Sequence, residues 1–513
     1  MECEGQGDCA ANSTAHVVPL RRRFRQAAGG PHAGLEILRR YAPAGGMKIN
    51  SSTRRHFIKT AATAVTAFQI LPRHVLGGPR FVPPSEKIAL AVVGVGGRGT
   101  QNLRSLLAQT DAQVVAIADP AETFSLEKYY YKGVGGRLPA LKIVDDHHGK
   151  MTPGYRCAGY EDFRVMFEKE KGIDAVLCAT PDHLHAYVTI RAMRAGKHVY
   201  CEKPLTHNIW EAREVARIAQ ETGVATQLGN QGHSTVGIRE TVEHLHAGTI
   251  GEVRQIYSWV GTKRWNPTLL SKPADAQAMP TGMNWDLWIG PRELRDFHAA
   301  YHPVSWRDFW AFGTSSMGDF ACHDMDAATW AYDLAAPTRI EAHAIGPSDA
   351  EIAPHGAVIY FDFPARVAWP AQRLTWLDGG AKPPPHEALG QFPVPSRGTM
   401  FMGEKGVIQC DGAGGPPRVF PESLRASIQK PVPTIARSNG HHRDWLDAIK
   451  GGKPASSNFG YGARLTEIGL LGVLALRIGK PIEWDGANLK VAGRPEVEPM
   501  IRGTYRPEWA LGT

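Results

Sequence analysis

The sequence predicts an α/β fold in which a parallel, doubly covered sheet precedes a second α/β domain built on a mostly antiparallel open sheet. Three observations carry this. An apolar run, Lys87–Val93, leads straight into Gly94-Val95-Gly96-Gly97-Arg98-Gly99 and then into residues of helix composition. Strand and helix patterns then alternate as far as Lys197–Cys201 and the tripeptide Glu202-Lys203-Pro204. Later apolar runs, Arg339–Ala344, Ala357–Phe363, Gln372–Leu377 and Gly406–Cys410, are separated by Pro/Gly-rich loops and read as antiparallel strands.

The first run is apolar throughout rather than alternating, as a strand buried on both faces requires. The glycines Gly94, Gly96 and Gly99 follow at once, with Thr100–Gln109 as the next helix. That context, strand then tight turn then helix, suits a dinucleotide: Gly96 lets backbone approach the pyrophosphate, and the helix start offers it unpaired N–H groups. A second strand, Gln113–Ala118, ends in Asp119, which falls 20 residues after Gly99. An acidic side chain there accepts hydrogen bonds from both ribose hydroxyls and repels a 2′-phosphate, so NAD is favoured over NADP.

The alternation continues through helix 160–170, strand 174–178, helix 183–195 and strand 197–201. Ligands sit at the carboxyl ends of such strands. Thr180, Pro181, Asp182, Glu202 and Lys203 are therefore expected against the cofactor. His183 and His185, two apart, point to different faces of a helix, so no metal pair is expected; His185 falls either near the nicotinamide or in a capping role. Five cysteines of the body, Cys157, Cys178, Cys201, Cys322 and Cys410, show no C-x-x-C spacing, so neither a disulfide framework nor a metal site is indicated.

After Pro204 come helix 209–222, strand 224–228, helix 237–247, strand 253–260 and a loop-rich stretch. Six of the 13 tryptophans lie there: Trp259, Trp265, Trp285, Trp288, Trp306 and Trp310. Most are expected in the core; Trp306-Arg307, beside Tyr301-His302-Pro303, is placed nearest a substrate. A serine-rich helix start then leads to Asp319 and His323, four apart and so on one helical face. A neighbouring carboxylate raises and orients an imidazole, which suits a base for a hydroxyl proton. Helices are expected over 439–450 and 462–478, and residues 486–513 read as a tail.

The net charge of +8 is a local matter. Residues 1–80 hold 12 of the 58 Lys/Arg and 4 of the 50 Asp/Glu, leaving the rest neutral and without a basic face for nucleic acid. Thr53-Arg54-Arg55-His56-Phe57-Ile58-Lys59 precedes the apolar Ala61–Leu71, resembling a twin-arginine export signal and pointing to a periplasmic or otherwise exported protein. Met47 stands just ahead of it. The expected organisation is an extension over 1–46, signal and linker over 47–85, a nucleotide domain over 86–205, a substrate and oligomerisation domain over 206–485, and the tail. No membrane span is expected beyond an uncleaved signal.

Taken in order, the glycine loop, Asp119, Thr180-Pro181-Asp182-His183-Leu184-His185-Ala186, Ala195–Pro204 and the Asp319/His323 helix resemble the Gfo/Idh/MocA oxidoreductases over roughly residues 86–485. The resemblance implies an N-terminal Rossmann domain and a C-terminal domain whose open sheet mediates homodimers or homotetramers. It also implies hydride exchange between NAD(P) and a sugar, polyol or related carbohydrate, with Lys203, Asp319 and His323 as the catalytic set. Asn230 and His233, in Gly229–Ser234, together with Trp306 and Arg307, are the expected substrate contacts. Two features depart from the family: Ala321 stands where glycine is common between the Asp and His, and Glu122–Arg156, with Tyr129-Tyr130-Tyr131, is a long insertion that either covers the adenosine side or decorates the surface. Three functions compete: net dehydrogenase or reductase; redox-neutral, NAD-dependent glycoside hydrolase; and a non-catalytic binding protein, which loss of Lys203 or Asp119 would have indicated.

Overall fold

The structure is a computed structural model and describes residues 86–511; the expected extension and export signal lie outside the described residues. In chain order the strands are β1 (Ile88–Val93), β2 (Ala112–Ala118), the short hairpin β3 (Phe124–Ser125) and β4 (Val134–Gly135), β5 (Ala158–Tyr160), β6 (Ala175–Cys178), β7 (His198–Cys201) and β8 (Thr226–Leu228). Six of them form one sheet in the order β5-β2-β1-β6-β7-β8, every pair parallel. The order turns back between β1 and β6, so the crevice for a ligand opens at their carboxyl ends. β1 and β6 are almost wholly buried, which is why their residues are apolar on both faces.

The sheet extends past the expected boundary at residue 205. β8 pairs with β7, and the helix Ile209–Thr222 joins them, started by an Asn208/Glu211 capping box and stopped by Gly223 at φ 64°. Thr226-Gln227-Leu228 is short and half polar, so the sequence did not mark it as part of the same sheet.

The second sheet holds β9 (Val253–Val260), β10 (Arg339–Ile345), β11 (Gly356–Phe363), β12 (Gln372–Leu377), β13 (Arg397–Gly403), β14 (Val407–Asp411), β15 (Pro417–Phe420), β16 (Ile482–Asp485) and β17 (Lys490–Val491). Its order is β15-β14-β13-β9-β12-β11-β10-β16-β17, antiparallel except for β9 beside β12. Helices Ser315–Asp324 and Phe459–Ile478 pack between this sheet and the first domain. Phe459–Ile478 is long and apolar enough to cross a membrane, but 83% of its apolar window is buried inside the protein. Asn458 caps its start and Gly479, at φ 66°, ends it.

Residues 486–511 are not a loose tail. β17 pairs with β16, Tyr505 donates its hydroxyl to Glu211 at 2.7 Å, and Trp509 is buried against Tyr187 and Phe163 with the Arg164 guanidinium 4.2 Å from its ring centre. A polar, Pro-rich stretch gave no periodicity to reveal this. Trp509→Ala is expected to cost about 3–5 kcal/mol, seen as a lower urea midpoint; an unchanged midpoint would show the contact to be idle.

Candidate active site

A cavity of about 410 Å³ opens at the carboxyl ends of β1 and β6 and runs from the glycine loop to the helix Ser315–Asp324. On the nucleotide side the backbone leaves no choice of residue. Gly94 has φ 83°, and a Cβ there would meet the Ala179 carbonyl at 2.7 Å; a Cβ on Gly99 would lie 2.0 Å from the Gly94 carbonyl. Gly96 precedes the helix Gly97–Leu107 without any side-chain cap, so the first N–H groups of that helix remain available to an anion. Asp119 faces the same cavity and accepts N–H groups of Val95 at 2.8 Å and Ala121 at 2.9 Å, one on each oxygen. Each oxygen keeps a further acceptor direction for ribose hydroxyls. The residues present fit a bound dinucleotide.

On the substrate side Lys203 donates to Asp319 twice, to its carbonyl at 2.7 Å and its carboxylate at 2.5 Å. Arg307 reaches the other carboxylate oxygen at 3.2 Å and stacks on Trp306, 4.2 Å from the ring centre. Burial alone would raise the Asp319 carboxyl; the two cations outweigh it and hold it well below the usual carboxylate range. Asp319 is therefore an anchor for two positive groups. His323, on the same helical face, also lines the cavity, and its Nδ1 is buried without a partner.

Here the structure corrects an expectation. Asp319 pulls the imidazole of His323 up but is outweighed: burial, reinforced by the ammonium of Lys203, drives it well below its ordinary value. His323 is thus a neutral ring, ready to accept a proton. Ala321 does not crowd the cavity either: its methyl group faces Gly469, where an added Cβ would come within 3.1 Å, so a glycine on the neighbouring helix takes up the room.

His185 lines the cavity, but both its ring nitrogens face carbonyl oxygens, Pro204 at 2.6 Å and Thr180 at 2.8 Å. It braces the Glu-Lys-Pro turn against Thr180-Pro181 and has no nitrogen left for a cofactor. Cys178 and Cys201, paired across β6 and β7, lie with His185 in one buried cluster, and the same two bonds keep that ring from serving as a ligand. Glu202 accepts from Asn102 and Gln231, both at 2.8 Å, which ties the turn to the glycine-loop helix. Asn230 and His233 were expected at the substrate and are not there. Both are buried on Asp326, with Asn230 donating at 2.9 Å and His233 lying 3.0 Å from its carboxylate, and neither lines the cavity.

The structure places several lining residues that the sequence left undecided. The insertion is a strap over the site: Tyr131 lies on Gly97, so close that a Cβ there would overlap its ring, and Tyr130 lies parallel to Trp265 at 6.1 Å. Both tyrosines line the cavity, as do Phe124, Trp265, Trp288 and His302. Asp308 holds Trp265 in place by accepting its backbone N–H at 2.9 Å. Asp182, expected with Thr180 and Pro181 against the cofactor, forms part of the wall beside Lys203. The sequence placed that turn at the sheet edge but gave no signal for its meeting with Lys203; only the chain's path brings the two together.

The sequence model described as "Oxidoreductase family, NAD-binding Rossmann fold" matches residues 88–230. A scyllo-inositol 2-dehydrogenase (NAD(+)) of Bacillus subtilis is 30% identical over 132 residues, 24% of this chain and 38% of that protein. A glycosyl hydrolase family 109 protein of Stenotrophomonas maltophilia is 29% identical over 204 residues, 39% of this chain and 40% of its own length. The chain thus spans about two fifths of the length of the curated relatives it matches. Among solved structures, the WlbA dehydrogenase from Bordetella pertussis, in complex with NADH and UDP-GlcNAcA, superimposes with a TM-score of 0.51 at 16% identity, covering 78% of this chain and 99% of that one. That likeness shows the two-domain fold, and the sequence match adds that residues 88–230 are similar to the NAD-binding Rossmann domain of the Gfo/Idh/MocA oxidoreductase family.

Proposed function

We propose that this protein is an NAD-dependent oxidoreductase that moves a hydride to or from a sugar, polyol or related carbohydrate. One observation carries the reading: the glycine loop and Asp119 share a single cavity with Lys203, Asp319 and the neutral His323. The bound dinucleotide supplies the hydride acceptor or donor. Asp319 holds the Lys203 ammonium at the cavity, where it steadies negative charge developing on the reacting oxygen. The neutral imidazole of His323 takes the hydroxyl proton in oxidation and returns it in reduction. Trp306, Trp265 and Tyr130 offer aromatic faces of the kind that stack on sugar rings, and Glu202, His185 and Asn102 hold the Lys203 turn in register.

The test is to purify the protein, record whether NAD absorbance co-elutes, and assay it with and without added NAD against free sugars and aryl glycosides. NADH formation on a free sugar supports the reading. Aryl-glycoside cleavage without net NADH overturns it in favour of a redox-neutral glycoside hydrolase, the second reading, which the similarity to a glycosyl hydrolase family 109 protein favours. The tyrosine strap bears on both, because it covers the entrance to the nucleotide loop. Tyr131→Ala is expected to weaken NAD binding about tenfold in a fluorescence titration; unchanged affinity would make the strap decoration.

Export by the twin-arginine route, with Arg54-Arg55 as its signal, is part of this proposal, and fractionation of the source bacterium with Arg54 and Arg55 both replaced by Lys tests it. So is assembly into homodimers or homotetramers through the outer face of the second sheet, where Tyr257, Val358, Tyr360 and Met402 are only half-buried. Light scattering that gives a monomer mass would remove it.

A further inference from the structure

We propose that Asp182 is a second proton-exchanging group of this site, lining the cavity with Lys203, Arg307 and Asp319 and acting on a hydroxyl of the bound carbohydrate. Four carboxylates line the cavity. Asp119 is taken by two backbone N–H groups, Glu202 by two side-chain amides and Asp319 by two cations. Asp182 accepts one hydrogen bond, from the Thr314 hydroxyl at 2.7 Å, and among the described residues it has no ion-pair partner. Its side chain is nonetheless almost entirely buried.

The placement of Thr314 looks costly and specific. A Cβ at Gly318 would come within 2.1 Å of the Thr314 hydroxyl, so only glycine leaves it room, and the next residue, Ser315, is held at φ 59°. A turn of left-handed backbone and a helix glycine together aim one hydroxyl at one carboxylate.

The charged groups facing Asp182 come from three elements: Arg307 on the turn Ser305–Asp308, Lys203 after β7, and Asp319 on the helix Ser315–Asp324. The adjacent His183 is neutral, held low by burial and bonded to the Trp288 carbonyl at 2.9 Å, and His302 in the same wall is neutral for the same reason. Burial raises Asp182 to about 7, and the Asp319 charge adds to it against the pull of Arg307. Asp319 is driven the opposite way. Two carboxyls in one cavity pushed apart by their surroundings is the pattern of a divided acid and base. As a carboxylate, Asp182 takes the proton of the reacting hydroxyl when that hydroxyl is set against it rather than against His323: the O–H bond breaks as the hydride leaves the carbon, its electron pair forms the C=O bond, and the proton passes from the carboxyl to solvent.

The activity arm of the test rests on the oxidoreductase reading; an infrared arm does not. In wild-type protein a protonated-carboxyl band should titrate near neutral pH and be missing from Asp182→Asn, which keeps the acceptor for Thr314. In the oxidation direction wild-type kcat/KM should rise with pH through the same range; Asp182→Asn should lose that limb and about 100-fold of kcat/KM while NAD affinity holds. Thr314→Val removes a hydrogen bond that favours the charged form, so both the limb and the band should move to higher pH. Absence of such a band, or an Asp182→Asn enzyme with wild-type kcat/KM and profile, overturns the proposal. Wild-type protein inert on every sugar overturns the activity reading alone, and the infrared comparison then decides the fate of Asp182.

Discussion

Lys203→Ala is expected to lower kcat about 1000-fold while far-UV circular dichroism stays unchanged. The ammonium lines the cavity with two of its three donors on Asp319, which leaves the third for the substrate. Arg307 does not replace it, because its guanidinium is committed to Asp319 and Trp306. A second consequence separates a catalytic role from a structural one. Lys203 is the strongest of the charges that push His323 down. Without it the imidazole titrates at a higher pH, and the neutral form needed as base is lost earlier on acidification. The residual activity of the variant should therefore fall off at a higher pH than that of the wild type. Near-normal turnover with an unshifted profile would remove Lys203 from the catalytic set.

Asp319→Ala should be the most damaging single change to both stability and activity. It strands Lys203 and Arg307, whose side chains are only 11% and 15% exposed, without their counter-charge. Breaking a buried pair in this way costs about 3–5 kcal/mol, read as a drop in the urea midpoint. The pH dependence has a definite sign. The folded Asp319 carboxyl is held below its unfolded value, so its stabilisation is fully present above the unfolded value of about 3.9 and is lost as pH falls further through the folded one. The gap between wild type and variant should accordingly be widest near neutrality and close in acid. A gap that persists at low pH would mean that the loss is one of packing alone.

The parallel sheet was legible because its strands are apolar on both faces and its glycines sit where backbone geometry admits nothing else. Lys203, Asp319 and His323 were legible through spacing joined to the family resemblance. What stayed hidden had long-range causes. Asn230 and His233 were drawn to the substrate by their neighbourhood, yet Asp326, nearly a hundred residues away, claims both. The ionisation of His323 departs from expectation because the pair Asp319/His323 was read without the burial of the ring and without Lys203, which arrives from another domain. Asp182 depends on a hydroxyl at Thr314, 132 positions on. β13 went unseen because Arg397–Gly403 is flanked by glycines and rich in methionine, with no β-branched run to mark it.

Trp509 gives the chain an order of assembly. Domains emerging from the ribosome ordinarily fold from the N-terminus onward. Here the apolar slot between Phe163 and Tyr187, under the first sheet, stays unfilled until a tryptophan more than 300 positions later has been made. The first sheet is thus closed on that side only after the second domain has been made, because the tryptophan that fills its slot follows that domain in the chain.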